Sequence, residues 1–146
     1  ADAIAAEARA LGLPVARRSR GDAPGDGVYL ADTMGEMALW YALAGRVFVG
    51  GTLTDRGGHT PYEPAAFGAA LIHGPDTRNF AAAYARLDGI AAQVSDAGTL
   101  ARALAALSDP AAQAGAGTHA QQVLRPKTGL DALCDAVLDR LPAPRA

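Results

Sequence analysis

The sequence predicts an α/β fold with a parallel sheet and helices on both of its faces. Three observations lead there. Short apolar runs alternate with helical stretches along the chain, the pattern of βαβ units. Glycine and proline turn signals bound those runs. The 146 residues are enough for one domain with a real core.

Taken in order, Ile4, Ala8 and Leu11 fall on one helical face, and Gly12 is a suitable stop. A short strand over Pro14–Ser19 and a Gly/Asp/Pro-rich loop over Arg20–Gly27 come next. Val28–Ala31 is an apolar run of buried-strand character. Thr33-Met34-Gly35-Glu36 has the S/T-x-x-E form of a capping box. It predicts a largely buried helix through Met37, Leu39, Trp40, Tyr41 and Leu43. Strand Val47–Val49 runs into Gly50-Gly51, and the loop that follows ends at His59. Thr60-Pro61-Tyr62-Glu63 is a second capping box, with proline at the first helical position. Ala70–His73 is a strand ended by Gly74-Pro75, and a helix is expected from about Asn79 to Leu87. Ala91–Val94 is a final short strand. Leu100, Leu104 and Leu107 mark a helix, and Asp109-Pro110 opens another. Leu130, Leu133, Cys134, Val137, Leu138 and Leu141 trace the apolar face of a last one.

Composition narrows the function. Apolar residues make up 50% and charged residues 19%, an ordinary soluble globular balance. Alanine supplies much of the apolar count, so packing must rely on small side chains. A net charge of −2 and a pI of about 5.9 imply no broad basic surface, which argues against nucleic acid as a partner. The one cysteine, Cys134, excludes an internal disulfide and sits on the apolar face of the last helix, where a core role is expected. The sequence contains no apolar run of about 18 residues, the length of a membrane span. Ala1–Leu11 reads as the middle of a helix rather than a natural N-terminus, which suggests a piece of a longer protein.

In an open parallel sheet, ligands bind beyond the carboxyl ends of the strands. Both capping boxes are expected there, with two helix N-termini offering free N–H groups to one phosphate. Gly50, Gly51, Gly57 and Gly58 would allow close backbone approach. The loop lacks G-x-G-x-x-G and G-x-x-x-x-G-K-[ST], so neither a dinucleotide site nor a P-loop is indicated. Each feature also has a purely structural reading: glycine pairs serve turns, and Thr33/Glu36 and Thr60/Glu63 serve as caps. His59 reads as a local hydrogen-bonding residue, His73 as buried and paired, His119 as exposed. The three histidines show no metal-ligand spacing with each other or with Cys134, and no metal or cofactor is expected.

The segments V-Y-L-A-D-T-M-G-E-M, F-V-G-G-T-L, G-G-H-T-P-Y-E-P-A-A-F-G and H-G-P-D-T-R-N-F resemble those of 3-deoxy-D-manno-octulosonic acid (Kdo) transferases. The likeness is dense from Val28 to Phe80 and looser from Ala81 to Leu141. It implies the C-terminal, donor-binding lobe of a GT-B glycosyltransferase, Rossmann-like, over residues 1–146. The N-terminal lobe and the first strands of this lobe would lie before Ala1. The family moves Kdo from CMP-Kdo to a lipid A precursor at the cytoplasmic face of the bacterial inner membrane. Carried across, Met34, Gly35 and Glu36 would contact CMP at the first helix start, and Thr60, Pro61, Tyr62 and Glu63 at the second. Glu63 would accept from the ribose hydroxyls, and backbone N–H groups near Gly58, His59 and Thr60 would meet the phosphate.

Two positions depart from the family pattern: Thr60 replaces an asparagine and Tyr62 a leucine. Threonine can cap a helix but brings no amide N–H. The general base, acceptor site and membrane anchor belong to the other lobe, so no catalytic residue is expected in this chain and no transfer by it alone. Two other readings share the sequence signals: a GT-B enzyme using a different nucleotide sugar, and a non-catalytic Rossmann-like interaction module.

Overall fold

The computed structural model describes residues 1–126 and 129–140. The elements alternate as expected. They are α1 (Asp2–Ala10), β1 (Val15–Arg17), β2 (Val28–Leu30), α2 (Met37–Leu43), β3 (Arg46–Val49), α3 (Tyr62–Ala66), β4 (Ala70–His73), α4 (Ala81–Arg86), β5 (Ala92–Gln93), α5 (Ala97–Ala106), α6 (Pro110–Leu124) and α7 (Leu130–Leu138). Short 3-10 turns at Arg18–Arg20 and Arg78–Phe80 lead out of β1 and into α4.

Every strand pairing is parallel, but the ladder falls into two groups. β1 and β2 form one, with Val15 opposite Val28. β3, β4 and β5 form the other in that order, with Arg46 opposite Ala70 and Ile72 opposite Ala92. β4 is central and all four of its residues are buried. That fits the apolar run Ala70-Leu71-Ile72, the mark of a strand covered on both faces, while the buried His73 ring pairs with the Gly74 carbonyl.

The core gathers around β4: Leu71 packs with Val49, Ala65, Ala83, Tyr84, Leu87, Ala120 and Leu124, and Ile72 is buried beside it on the same strand. Helix α6 packs across β4 and α3. It is started by Asp109, whose carboxylate accepts from the Ala112 amide at 2.8 Å, with Pro110 in the first turn. Gly117 lets this helix close in, because a Cβ there would overlap the Gly68 carbonyl.

Several expectations are corrected. On α1 the buried residues are Ala5 and Ala8, while Ile4 and Leu11 are exposed, so the small side chains make the contact. No residue of α2 is buried, although its sequence is largely apolar. Leu133, Cys134, Val137 and Leu138 are exposed on α7, so Cys134 is not a core residue. Leu141 lies outside the described residues. Neither expected capping box forms: the N-cap of α2 is Glu36 and that of α3 is Pro61, and neither helix has a side-chain cap bond. A reciprocal box does form at α5, where Asp96 accepts from the Thr99 amide at 2.7 Å and Thr99 Oγ1 accepts from the Asp96 amide at 3.0 Å. The sequence read for S/T-x-x-E overlooked this D-x-x-T form.

Helix propensity favours alanine over glycine, so two glycines of α6 separate packing from propensity. Gly117→Ala is expected to destabilise the fold by about 2 kcal/mol, since overpacking against backbone outweighs the propensity gain. A Cβ at Gly115 meets nothing within 4 Å, and Gly115→Ala should stabilise by about 0.5–1 kcal/mol. Urea unfolding of the two variants measures both signs.

Candidate functional site

The site is built at the carboxyl ends of β3 and β4 by two loops that are stitched together. β3 exits at Val49 into residues 50–59, and β4 exits at His73 into residues 74–79. Thr52 is the central stitch and is fully buried. Its Oγ1 donates to the Val49 carbonyl and accepts from the Gly74 amide, both at 2.7 Å. The Asp76 amide returns to the Thr52 carbonyl at 3.0 Å. Asp76 Oδ2 accepts from the Gly57 amide at 2.7 Å, and that bond holds the carboxyl below its ordinary range, aided by Arg78. Asn79 completes the seam: its amide donates to the Gly57 carbonyl at 3.0 Å, and its Nδ2 donates to the Arg56 and Gly58 carbonyls.

These bonds explain the second glycine pair. Gly57 and Gly58 have φ of +78° and +74°, the left-handed region that glycine adopts without penalty. A Cβ on Gly58 would also lie 2.9 Å from the Asp76 carbonyl oxygen. Within the loop, the Gly58 and His59 amides donate to the Gly51 and Gly50 carbonyls. Both are therefore committed, and of the three amides expected near an anion only that of Thr60 makes no hydrogen bond among the described residues. The His59 carbonyl accepts from Tyr84 Oη at 3.0 Å. Burial pushes the Tyr84 phenol up to about 12, so it stays a donor across the neutral range.

A hollow of about 290 Å³ opens beside this seam. Met37 and Tyr41 of α2 form one wall, Val49 and Gly50 the floor, and His59, Thr60, Glu63 and Pro64 the other wall. Of the residues expected from the sequence, the structure thus brings together His59, Thr60 and Glu63. The His59 side chain is exposed, and its ring lies against Gly51. Glu63 is exposed and has no hydrogen-bond or ion-pair partner among the described residues. Burial first, and then the Glu63 charge, raise the Tyr41 phenol above its ordinary value. Thr60 Oγ1 accepts from the Tyr62 amide at 3.3 Å, a turn contact rather than a cap to the third helical residue. Gly58 and Pro61 are buried in the support of the loop. Tyr62 lines a second, largely apolar groove of about 530 Å³, which α3 forms with the end of α6 and which shares Glu63.

Met34, Gly35 and Glu36 do not line the hollow but form the loop that leads into α2. Met34 is 96% exposed and Gly35 has a φ of +83°. The Glu36 carboxylate is occupied: Arg18 Nη2 and Nε approach it at 2.6 and 3.1 Å, and Thr33 Oγ1 donates to it. Arg18 first, and Thr33 next, lower its pKa to about 2. The other end of the loop is pinned in the same way. Asp32 accepts from Arg17 Nη2 at 2.6 Å and from the Ser19 amide and hydroxyl at 2.9 and 2.8 Å. The Ser19 amide above all, with Arg17, holds the Asp32 carboxyl well below the usual range. The sequence reading missed Thr52, Asp76, Asn79, Arg17 and Arg18. Asp76 and Asn79 were visible only within H-G-P-D-T-R-N-F, where their spacing alone suggests no partner.

Parallel strands whose carboxyl ends open on such a hollow define a Rossmann-like α/β lobe. No family model matches the chain. It is 43% identical over 116 residues to a 3-deoxy-D-manno-octulosonic acid transferase of Bordetella pertussis, a match covering 75% of this chain and 27% of that protein. It is 41% identical over 96 residues to the protein of the same name from Haemophilus influenzae, covering 62% and 22%. Among solved structures it is similar to the C-terminal CMP-Kdo binding domain of WaaA from Acinetobacter baumannii. That similarity has a TM-score of 0.77 and 34% identity, and it covers 86% of this chain and 68% of that one. The chain belongs to the Kdo transferase family. It spans about a quarter of the length of the curated relatives it matches.

The seam makes a direct prediction. Thr52→Val keeps the shape but leaves the buried Gly74 amide without its acceptor, which should cost about 2 kcal/mol of unfolding free energy. Thr52→Ser keeps the hydroxyl and should lose clearly less. Urea unfolding of the pair, with amide exchange at Gly74, checks the assignment.

Proposed function

We propose that this chain is the donor-nucleotide lobe of a Kdo transferase and that it holds the CMP part of CMP-Kdo at the mouth of the hollow between α2 and α3. One observation carries the reading. At the exit of β3 the chain presents an exposed carboxylate, Glu63, without a partner among the described residues, beside the Thr60 amide, which makes no hydrogen bond there. An exposed carboxylate is a good acceptor for the two hydroxyls of a ribose. A free amide on a rigid loop suits a phosphate oxygen. The similarity to the CMP-Kdo binding domain of WaaA supports the same assignment.

In this reading the phosphate meets backbone N–H at Thr60 rather than the dipole of a long helix. α2 and α3 have only seven and five residues, and a helix that short adds little macrodipole. The reaction is a displacement at the anomeric carbon of Kdo. The acceptor hydroxyl attacks after giving its proton to a base, and the bond from that carbon to the CMP phosphate oxygen breaks with its electron pair on the oxygen. This lobe orients the donor and stabilises the charge that develops on CMP. We assign the base, the lipid A precursor site and the attachment to the inner membrane to sequence outside this chain. Among the described residues no helix is long and apolar enough to cross a membrane.

Calorimetric titration tests the reading. CMP should bind, and more tightly than UMP or UDP. Glu63→Gln retains the size of the side chain but removes the charge. It should weaken CMP binding about ten- to a hundredfold, the worth of charge-assisted hydrogen bonds. CMP binding of equal strength in Glu63→Gln would remove the ribose role, and a preference for UMP or UDP would favour a different nucleotide sugar.

A further inference from the structure

We infer that Arg18 is a positioning residue for the nucleotide site, acting through Glu36 on the placement of α2; the inference rests on the reading of the hollow as a CMP site. The contacts run in an unbroken series. Arg18 leaves β1 on the 3-10 turn and puts a two-pronged guanidinium on Glu36. Glu36 is the N-cap of α2, and its carbonyl accepts from the Leu39 and Trp40 amides at 3.0 and 3.3 Å. One turn of that helix then carries Met37 and Tyr41 to the wall of the hollow. Whatever fixes Glu36 fixes where that wall begins.

Burial fixes it only in part, through the half-buried Trp40 and Tyr41. Met37, Leu39 and Leu43 are 53%, 44% and 71% exposed, and no residue of α2 is buried. The helix leans on its neighbours through two tilted aromatic pairs, Trp40 on Tyr29 at 5.6 Å and Tyr41 on Phe67 at 6.2 Å. These contacts limit its distance, while the forked Arg18–Glu36 pair defines the position of its first residue. A planar guanidinium gripping both carboxylate oxygens sets direction as well as proximity. Around Glu36 the charged and titratable groups are Arg18 itself and Tyr29 of β2, which bears on the Arg18 guanidinium. Arg17 is engaged with Asp32 and Asp2.

The pair has a second consequence for an anionic ligand. Glu36 contributes a negative charge near the start of α2, and Arg18 cancels it where it arises. The Glu36 carboxyl titrates at about 2. Because that value is depressed, the lock is complete above the ordinary glutamate range and is released only as the pH falls toward 2.

The test uses Arg18→Gln, Arg18→Lys, Glu36→Gln and the Arg18→Gln/Glu36→Gln double variant, with CMP as the ligand at pH 7. Arg18→Gln and Glu36→Gln should each weaken CMP binding about tenfold, the scale of one lost charge-assisted pair. The double variant should be no weaker than the single ones, because both act through one contact. Arg18→Lys should recover part of the loss. In Arg18→Gln, the carboxyl carbon of Glu36 followed by NMR should titrate in the ordinary glutamate range instead of near 2. The inference is overturned if Arg18→Gln binds CMP within a factor of two of the parent chain, or if the two single losses add in the double variant. A parent chain that binds no CMP overturns the nucleotide reading, and this inference with it. The carboxyl titration, which needs no ligand, reports separately on whether the pair itself exists.

Discussion

The buried hydroxyl of Thr52 is the contact on which the site depends. It joins the exits of β3 and β4, donating to one strand's last carbonyl and accepting from the amide just past the other. With Thr52 in place, Asp76 and Asn79 can reach Gly57 and Gly58, and the ten-residue excursion after β3 folds back so that Gly50 and His59 are bonded to each other. Without such a link, a loop of that length over a sheet edge would leave several backbone groups unsatisfied. The His59–Glu63 wall is therefore held by hydrogen bonding at its start, where the His59 amide and carbonyl are both engaged, and by the full burial of Pro61 and Pro64 behind it.

A second constraint comes from the core. Alanines dominate it: Ala5, Ala65, Ala69 and Ala70 are almost wholly buried, while Ile4, Leu11 and Leu43 are exposed. Small side chains allow close backbone approach but bury little area apiece, about 25 cal/mol per Å² of apolar surface. Stability must then come from short distances, as where Gly117 brings α6 onto the Gly68 carbonyl. The same economy leaves α2 without a fully buried residue, so its placement is shared between two aromatic pairs and the polar contact from the turn after β1.

How much of this was legible follows from which interactions have a local signature. β4 was legible with its boundaries because the apolar Ala70-Leu71-Ile72, closed by His73 and then Gly74-Pro75, admits few alternatives. The hollow was legible in position, since parallel strands direct ligands to their carboxyl ends. The capping boxes were not. The pattern S/T-x-x-E assumes that Glu reaches back to its own helix, but Arg18 captures Glu36 from a distant turn, and Thr33 donates to that carboxylate instead of accepting from an amide. At the second position Pro61 takes the N-cap, and the helix shortens to five residues. Thr52, Asp76 and Asn79 act across the gap between two loops, and no spacing within either loop encodes that partnership. Leu133, Cys134, Val137 and Leu138 were expected to be covered on α7 and are exposed, because periodicity states that a face is apolar and not what covers it.

The two glutamates near the hollow show how one residue type divides into two roles. Both were expected to meet the nucleotide, and both were equally explicable as caps. Their surroundings separate them. Glu36 has its oxygens filled by a guanidinium and a hydroxyl, so its remaining capacity to accept from a ligand is small and its charge is locally cancelled. Glu63 has no such partner among the described residues, faces the hollow, and is close enough to Tyr41 for its charge to help keep that phenol protonated. An uncompensated carboxylate beside a phosphate is repulsive by itself. It is tolerable only where the ligand brings hydroxyl donors to that oxygen and leaves its phosphate to a backbone amide. A nucleoside monophosphate has that layout, with two ribose hydroxyls a few ångströms from a single phosphate. On the proposed reading, the arrangement of charge in the hollow fits a ribose-bearing ligand better than a bare anion.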